Sequence, residues 1–177
     1  YASTAIGTDE GQGGNFPEAS ADYAVAIGSE VTASGVQSIA MGHNVIAAGA
    51  GSLAFGFQAR SPGLRGVAIG NSSSADGTDS TALGSSAAAG ANNSTAIGSS
   101  ADASAVNSTA VGDDSEASSE RASAFGRLAT ASGAGSVALG ERAEATALSA
   151  IAIGGDGEGD ETSARATDIY AIAIGDD

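Results

Sequence analysis

The sequence predicts an all-β fold: a parallel β-roll in which successive 14-residue coils stack into a rod. A tetrapeptide with invariant Ala and Gly recurs twelve times along the 177 residues. From Gly28 to Gly154 its glycine returns at every fourteenth position without a slip. Repeats at a fixed short period are typical of solenoids, in which each unit packs on its neighbours.

The tetrapeptide itself predicts the first strand of each coil. Large or β-branched residues stand first and third, the invariant Ala lies between them, and this alternation is that of a β-strand. Gly then ends the strand, as a turn with positive φ would require. The motif glycines are Gly7, Gly28, Gly42, Gly56, Gly70, Gly84, Gly98, Gly112, Gly126, Gly140, Gly154 and Gly175.

A second, shorter strand is predicted three to five residues after the motif glycine. Small residues recur there with a period of two, as in Ala87 with Ala89 and Ala101 with Ala103. A further small residue then turns the chain back, as at Gly35 or Gly49. Each coil therefore contains two strands and two turns, and ten coils give a rod of roughly 50 Å.

The whole chain, 1–177, is predicted to be one repeat domain with regular coils over 28–154. Longer units of 21 residues occupy 7–28 and 154–175. Their additional residues, Thr8 to Ala21 and Gly155 to Thr167, are acidic and Gly-rich, and we expect them to project as loops.

Composition excludes several functional classes. The formal net charge is -15, which would repel nucleic acid and anionic membranes. There is no Cys and only one His, so a zinc site is not expected. The repeats place the same side chains in register in every coil, whereas an active site requires a set of reactive side chains that occurs once. We expect no enzyme activity and no cofactor.

Large apolar residues are predicted to face outward from the roll. The second strand offers only Ala-sized side chains inward, so the invariant alanine fits the narrow interior. An outward apolar stripe needs a partner chain. The alternative places Ile and Val inside and Ala outside. The predicted interior residues are Ala26, Ala40, Ala54, Ala68, Ala82, Ala96, Ala110, Ala124, Ala138 and Ala152; the stripe is Ile27, Met41, Phe55, Ile69, Leu83, Ile97, Val111, Phe125, Leu139 and Ile153.

Several repeats resemble the head repeats of trimeric autotransporter adhesins, the YadA-like heads. Ser38-Ile39-Ala40-Met41-Gly42 and Asn93-Ser94-Thr95-Ala96-Ile97-Gly98 carry the resemblance, which extends over nearly the whole chain. It implies a left-handed roll, a parallel homotrimer and display on the outer membrane surface of a Gram-negative bacterium. It also implies adhesion to host cells or extracellular matrix. The family's stalk and membrane anchor are absent here, so we expect the head alone.

Two further sites are candidates. Arg60 and Arg65 lie in a segment, 31–75, that has no acidic residue, and His43, Phe57 and Leu64 accompany them. We expect a ligand-contacting face there, against the alternative of a tolerated repeat surface. The acidic stretch with Asp156, Glu158 and Asp160 is a weak candidate for calcium, with a simple acidic loop as the alternative.

The sequence therefore predicts an adhesin head fragment that binds collagen- or fibronectin-type ligands and host receptors and that also contributes to autoagglutination. The alternative is a spacer segment of a surface fibre without a ligand of its own. An ice-binding solenoid is disfavoured, because Thr81, Thr95 and Thr109 alternate with Ala and do not form a paired flat array.

Overall fold

A computed structural model of the chain describes residues 2–7, 16–155 and 163–175. Those residues form a parallel β-solenoid of about ten turns and contain no helix. Each turn of the solenoid contributes one strand to each of two sheets, with all neighbouring strands parallel.

The first sheet has twelve strands and contains the tetrapeptide repeats. Its strands are β1 (Thr4–Ile6), β3 (Val25–Ser29), β5 (Ile39–His43), β7 (Leu53–Phe57), β9 (Val67–Ile69), β11 (Thr81–Leu83), β13 (Thr95–Ile97), β15 (Thr109–Val111), β17 (Ser123–Phe125), β19 (Val137–Leu139), β21 (Ile151–Ile153) and β23 (Ile172–Ile174).

The second sheet has eleven strands of two residues each. They are β2 (Glu18–Ala19), β4 (Thr32–Ala33), β6 (Ile46–Ala47), β8 (Arg60–Ser61), β10 (Ser74–Ala75), β12 (Ala88–Ala89), β14 (Asp102–Ala103), β16 (Glu116–Ala117), β18 (Thr130–Ala131), β20 (Glu144–Ala145) and β22 (Arg165–Ala166).

The register of both sheets follows the sequence period. Thr81 pairs with Thr95 and Ala88 with Asp102, so equivalent residues of successive coils lie directly above one another. In the longer units Thr4 pairs with Val25 and Ile151 with Ile172, so the added residues leave the register of the motif unchanged. Equivalent side chains therefore form columns that run along the rod.

The prediction that the added acidic segments project as loops over their whole length is wrong. Glu18–Ala19 lies within the first segment and pairs with Thr32–Ala33. Arg165–Ala166 lies within the second and pairs with Glu144–Ala145. The small, inward alanine of each pair continues the second sheet. The rest of the two segments, 8–15 and 156–162, lies outside the described residues, and there the expectation of a loop stays a prediction.

The core between the two sheets consists mainly of alanine, with buried serines and with Val31 and Val45 as its largest side chains. The prediction of only Ala-sized inward residues on the second strand therefore fails at these two coils. Ala26, Ala33 and Ala40 are fully buried, and this pattern continues to Ala152. Alanine loses no side-chain entropy on burial, and its small volume allows the sheets to approach closely. Each alanine buries little apolar surface, so the ladder of backbone hydrogen bonds and the number of coils must carry much of the stability.

Two turns per coil place residues in the left-handed region. One lies two residues after the motif glycine, as at Asn44, and the other nine residues after it, as at Asn93. The motif glycine has positive φ as predicted: 133° at Gly42 and 138° at Gly98. A Cβ on Gly42 would also overlap the carbonyl oxygen of Gly56 in the next coil, so close stacking is a second reason for glycine.

The glycines that were expected to turn the chain back have a different role. At Gly35 and Gly49 the backbone is not in the left-handed region, and Gln37 and Gly51, two residues later, adopt positive φ. A Cβ on Gly35 would overlap the backbone of Gly49. Close approach between coils therefore explains glycine at these positions.

Candidate functional site

An apolar stripe runs along the outer face of the first sheet. It is formed by the residues that precede each motif glycine, which pair in register from coil to coil. Phe55 is 47% exposed and Leu139 is 46% exposed. Ile97 and Phe125 are also exposed, and the remaining members are partly buried: Ile27, Met41, Ile69, Leu83, Val111 and Ile153.

The invariant alanines point the other way, into the roll. All ten of them are fully buried: Ala26, Ala40, Ala54, Ala68, Ala82, Ala96, Ala110, Ala124, Ala138 and Ala152. The alternative arrangement, with Ile and Val inside and Ala outside, is not what the structure has. The physical reason is the second sheet, whose inward residues, such as Ala89 and Ala103, leave room only for small partners.

The five residues expected to form one ligand-contacting face are distributed around the coil, and this prediction needs correction. His43 and Phe57 end neighbouring strands of the first sheet, and their rings stack at 5.3 Å and 12°. Arg60 lies on the second sheet. Leu64 and Arg65 lie at the opposite turn, because seven residues correspond to half of a 14-residue coil.

Arg65 forms an ion pair with Asp79 of the next coil. Its Nε and Nη2 atoms donate to the two carboxylate oxygens of Asp79, at 2.5 and 2.6 Å. The hydrogen bond and the charge of Arg65 lower the pKa of Asp79, and Asp79 raises the pKa of Arg65. Both side chains are exposed, so this pair contributes little stability and presents a neutralised surface.

Other ion pairs follow the same columns. Arg127 pairs with Glu141 in the next coil, and Arg165 pairs with Glu144 at 2.9 Å across the strands β20 and β22. Arg121 lies 3.5 Å from its neighbour Glu120. The two pairs that join successive coils reduce repulsion along an acidic rod and favour one register between coils, whereas Arg121 and Glu120 are neighbours within one turn.

Acidic side chains also stack without a cation between them. Asp102 and Glu116 are register partners on the outer face of the second sheet. Partial burial first, and the negative charge of Glu116 second, raise the pKa of Asp102, while a hydrogen bond with Ser104 opposes the shift. Ionisation of Asp102 is therefore less favourable here than in an exposed aspartate.

An open groove lies at the turn between the two strands of the second to fourth regular coils. It is lined by Asn44, Ile46, Gln58, Arg60 and Ser72. Of these residues, only Arg60 was a candidate from the sequence. The signal for Asn44, Gln58 and Ser72 was the 14-residue period, which places them in one column, although it does not say which columns border a groove.

Metal binding has no support in the described residues. They contain no group of three or more His, Cys, Asp or Glu side chains that could hold a metal ion. The calcium candidates Asp156, Glu158 and Asp160 lie outside the described residues. The described ranges also contain no helix of the length and apolarity that crossing a membrane requires.

Comparison with known proteins agrees with the geometry of the coils. The family model described as the YadA head domain repeat (2 copies) matches residues 18–30, 33–59, 47–73, 75–101, 103–129 and 131–156, well over half of the chain. No curated protein gave a significant match.

Among solved structures, the chain is similar to the collagen-binding domain of the Yersinia adhesin YadA. The identity is 21% and the TM-score 0.45, with 92% of this chain and 71% of that chain covered. The family match rests on the repeats themselves, which the structure stacks coil on coil. The chain therefore belongs to the family of YadA head domain repeats.

Proposed function

We propose that this chain is the head of a bacterial surface adhesin, which assembles as a parallel homotrimer and attaches to host cells or extracellular matrix. The observation that carries the proposal is the apolar stripe on the first sheet. Phe55, Ile97 and Leu139 are exposed there in one continuous column. A stripe of this length on a solitary rod would cause association, so a specific partner surface is needed.

Self-association about an axis parallel to the rod covers the stripe most simply. The coils repeat with one register, so identical chains present the same stripe at the same height. Membership in the YadA head repeat family supports three chains and a left-handed roll. Thr81, Thr95, Thr109 and Ser123 lie three residues before their glycines, which makes the middle of this interface less apolar than its ends.

The proposed adhesion is based on the many equivalent contact positions that the coils repeat along the surface. A trimer of about ten coils per chain displays many equivalent weak contacts on one rigid rod. Such multivalency raises overall affinity for an extended ligand without any single strong site. Collagen- or fibronectin-type proteins and host receptors are ligands of this kind, and trimers on neighbouring cells would explain autoagglutination.

The proposed location is the outer surface of a Gram-negative bacterium, which the family supports. A catalytic role is not part of the proposal, because the coils offer repeated groups and no distinct reactive cluster among the described residues. The spacer alternative is favoured by the same regularity, since a rod that lacks its own ligand would also need only a stiff repeat.

Two measurements test the proposal together. Light scattering of the purified chain is expected to give three times the mass of 16.7 kDa. Immobilised collagen and fibronectin are then expected to capture the trimer, and serum albumin is the matched negative surface. A stable monomer would refute the assembly, whereas a trimer that binds no matrix protein and no host cell would favour the spacer.

A further inference from the structure

The groove lined by Asn44, Ile46, Gln58, Arg60 and Ser72 differs chemically from the rest of the rod. Asn44, Gln58 and Ser72 lie in the same left-handed turn of successive coils, with φ of 53–56°. Ile46 and Arg60 are register partners on β6 and β8. The turn residues and the outward strand residues thus form two parallel rows, with the groove between them.

Arg60 has a guanidinium group without an internal partner in the described part of the chain. Arg65, Arg121, Arg127 and Arg165 form ion pairs with carboxylates. Arg142 also has a hydrogen-bonding or electrostatic partner. The guanidinium of Arg60 therefore keeps all five of its donors for another molecule.

The amide side chains across the groove are available too. Asn44 and Gln58 are exposed, and within the described residues their side chains make no hydrogen bond. By contrast, Asn92 on the same protein accepts a hydrogen bond from the Thr78 backbone at 2.9 Å. Two free amides facing one free guanidinium provide both donors and acceptors at the same opening.

The groove lies in the one long segment of the chain that lacks acidic residues, from 31 to 75. Two carboxylates border this segment. Glu30 stands one coil before Asn44, and Asp76 accepts a hydrogen bond at 2.8 Å from Ser74, the register partner of Arg60. At physiological ionic strength the Debye length is about 8 Å, so more distant carboxylates are largely screened. Within the described residues neither Glu30 nor Asp76 forms an ion pair with Arg60. Asp76 follows β10, whereas the groove residue Ser72 precedes it, so an anion can approach Arg60 from the side of Asn44 and Gln58.

The groove is also on the side away from the apolar stripe. Arg60 and Ile46 project from the second sheet, whereas Phe55 and its equivalents project from the first. Covering the stripe with partner chains would leave the groove open. One copy would then be present on each chain of an assembly.

We propose that this groove binds an acidic sugar residue, and the proposal rests on the adhesin function described above. Arg60 would pair with the carboxylate or sulfate of the sugar, for which a planar guanidinium gives two parallel hydrogen bonds. Asn44 and Gln58 would each bond neighbouring hydroxyls through their amide oxygen and nitrogen. Ile46 would contact the apolar C–H face of the ring.

A saccharide fits this groove better than an acidic peptide. Peptide recognition commonly uses apolar or aromatic anchors in a hydrophobic groove or the free edge of a sheet. Here Ile46 is the one apolar lining residue, and the second sheet continues through β8 into β10, so no edge is free. One cation and two amides match a ring that carries several hydroxyls and one acid, while the Ser72 hydroxyl, which donates to Asn71 Oδ1 at 2.8 Å, can only accept.

The test measures binding of four probes to the intact chain by isothermal titration. They are a hyaluronan hexasaccharide, a heparin-derived hexasaccharide, maltohexaose as the neutral sugar and hexaglutamate as the acidic peptide. At least one acidic saccharide is expected to bind, more weakly as salt rises, with maltohexaose and hexaglutamate bound at least about tenfold more weakly. The two acidic saccharides distinguish a carboxylated from a sulfated source.

Matched variants connect that binding to the groove. Arg60→Gln is expected to weaken acidic-saccharide binding about tenfold or more, the typical effect of losing a charge-assisted hydrogen bond. The double change of Asn44 and Gln58 to Ala is expected to weaken it similarly. Arg121→Gln removes another exposed positive charge, one that pairs with Glu120 far from the groove, and is expected to change nothing. Circular dichroism confirms that each variant retains its strands.

Three results would overturn the proposal: no binding of either acidic saccharide, equal weakening by Arg60→Gln and Arg121→Gln, or hexaglutamate bound as tightly as the saccharides. Matrix-protein binding of the Arg60→Gln variant separates this inference from the proposed function. If the unmodified chain binds matrix protein but no acidic sugar, the adhesin function stands and the groove assignment fails.

Discussion

The Oγ atom of Ser61 occupies the space beside Gly66 that a side chain at residue 66 would need. A Cβ added to Gly66 would lie 2.7 Å from the Oγ atom of Ser61 and 3.0 Å from the carbonyl oxygen of Ala75. In the other described coils the position of Ser61 is held by alanine, as at Ala47 and Ala75, and the position of Gly66 by serine or alanine. The extra oxygen of Ser61 therefore occupies space that the missing side chain at residue 66 leaves free.

This relationship predicts a non-additive pair of substitutions. Gly66→Ala alone is expected to lower the free energy of unfolding by about 1–3 kcal/mol, because overpacking a rigid interior forces backbone shifts. Ser61→Ala alone removes a buried hydroxyl without a hydrogen-bond partner in the described residues, so it is expected to be neutral or stabilising.

The double variant is expected to be at least as stable as the parent, because it restores the arrangement of the other coils. Chemical denaturation followed by circular dichroism measures all four proteins of the cycle. Strict additivity of the two single changes would show that the residues do not share this space.

Substitution of a motif glycine is expected to lower the free energy of unfolding more than Gly66→Ala does. Gly98 has φ 138°, and a Cβ there would overlap the carbonyl oxygen of Gly112. We expect Gly98→Ala to cost more than about 4 kcal/mol or to prevent folding, because backbone of two coils would have to separate. Gly135 is the matched control, since its φ is 66° and its nearest neighbour would be the Ser149 Oγ atom at 3.7 Å.

Gly135→Ala is expected to cost only about 1–2 kcal/mol, the strain of a left-handed L-residue. Its column already accommodates Arg121 and Ser149 with positive φ. The two variants are compared by their thermal midpoints. Similar midpoints would mean that conformational freedom, and not contact between coils, explains the invariant glycine.

How much of this architecture the sequence predicts depends on the scale of the feature. The sequence predicts the strand register over the whole range from Gly28 to Gly154. A shift of one residue would turn an alanine outward and an isoleucine into the roll. The strand at Glu18–Ala19 was not predicted, since its acidic, Gly-rich neighbours hide a two-residue repeat. Left-handed residues such as Gln37 and Leu128 were also missed, because their side chains do not favour that region.

The candidate site was less predictable than the fold. Periodicity places Asn44 above Glu30 and below Gln58, but it does not determine how far a side chain extends over a turn. His43 and Phe57 were linked to Leu64 through their proximity in sequence, whereas the coil separates them onto opposite edges. Outward residues one full coil apart are neighbours, whereas outward residues half a coil apart lie on opposite sides of the roll; only inward residues half a coil apart, such as Ala40 and Ala47, meet in the core.

The proposed covering of the apolar stripe by partner chains predicts the effect of a charge placed on the stripe. Phe55→Asp would bury a carboxylate against partner chains, at a cost of several kcal/mol per chain. We expect light scattering to show mainly monomer for this variant at micromolar concentration. Ser34→Asp is the control, because it adds the same charge at an exposed site outside the stripe in the same acid-free segment. Unchanged mass for Phe55→Asp would mean that this column is not the interface.

The raised pKa of Asp102 and the lowered pKa of Asp79 predict that stability depends on pH in opposite directions at these two residues. Because burial and Glu116 raise the pKa of Asp102 above its ordinary value of 3.8, the folded chain binds that proton more tightly than the unfolded chain does. The stability contributed by this group therefore falls as the pH rises from 3.8 through the raised pKa, and the loss persists at neutral pH. Asp102→Asn is expected to raise the melting temperature at pH 7 by about 1–2 °C, a small shift because the site is partly solvated.

Asp79 is the matched control with the opposite sign. Arg65 lowers its pKa, so its contribution is present above 3.8 and is lost as the pH falls through the lowered pKa. Asp79→Asn is expected to lower the melting temperature slightly at pH 7. Melting curves between pH 3 and pH 7 should show the Asp102→Asn difference shrinking toward zero at the acidic end, since protonation makes the parent carboxyl neutral like the amide. The Asp79→Asn difference should begin to shrink only below the ordinary value of 3.8, as the pH falls toward the lowered pKa. A benefit of Asp102→Asn that persisted at pH 3 would mean that packing, and not ionisation, causes the difference.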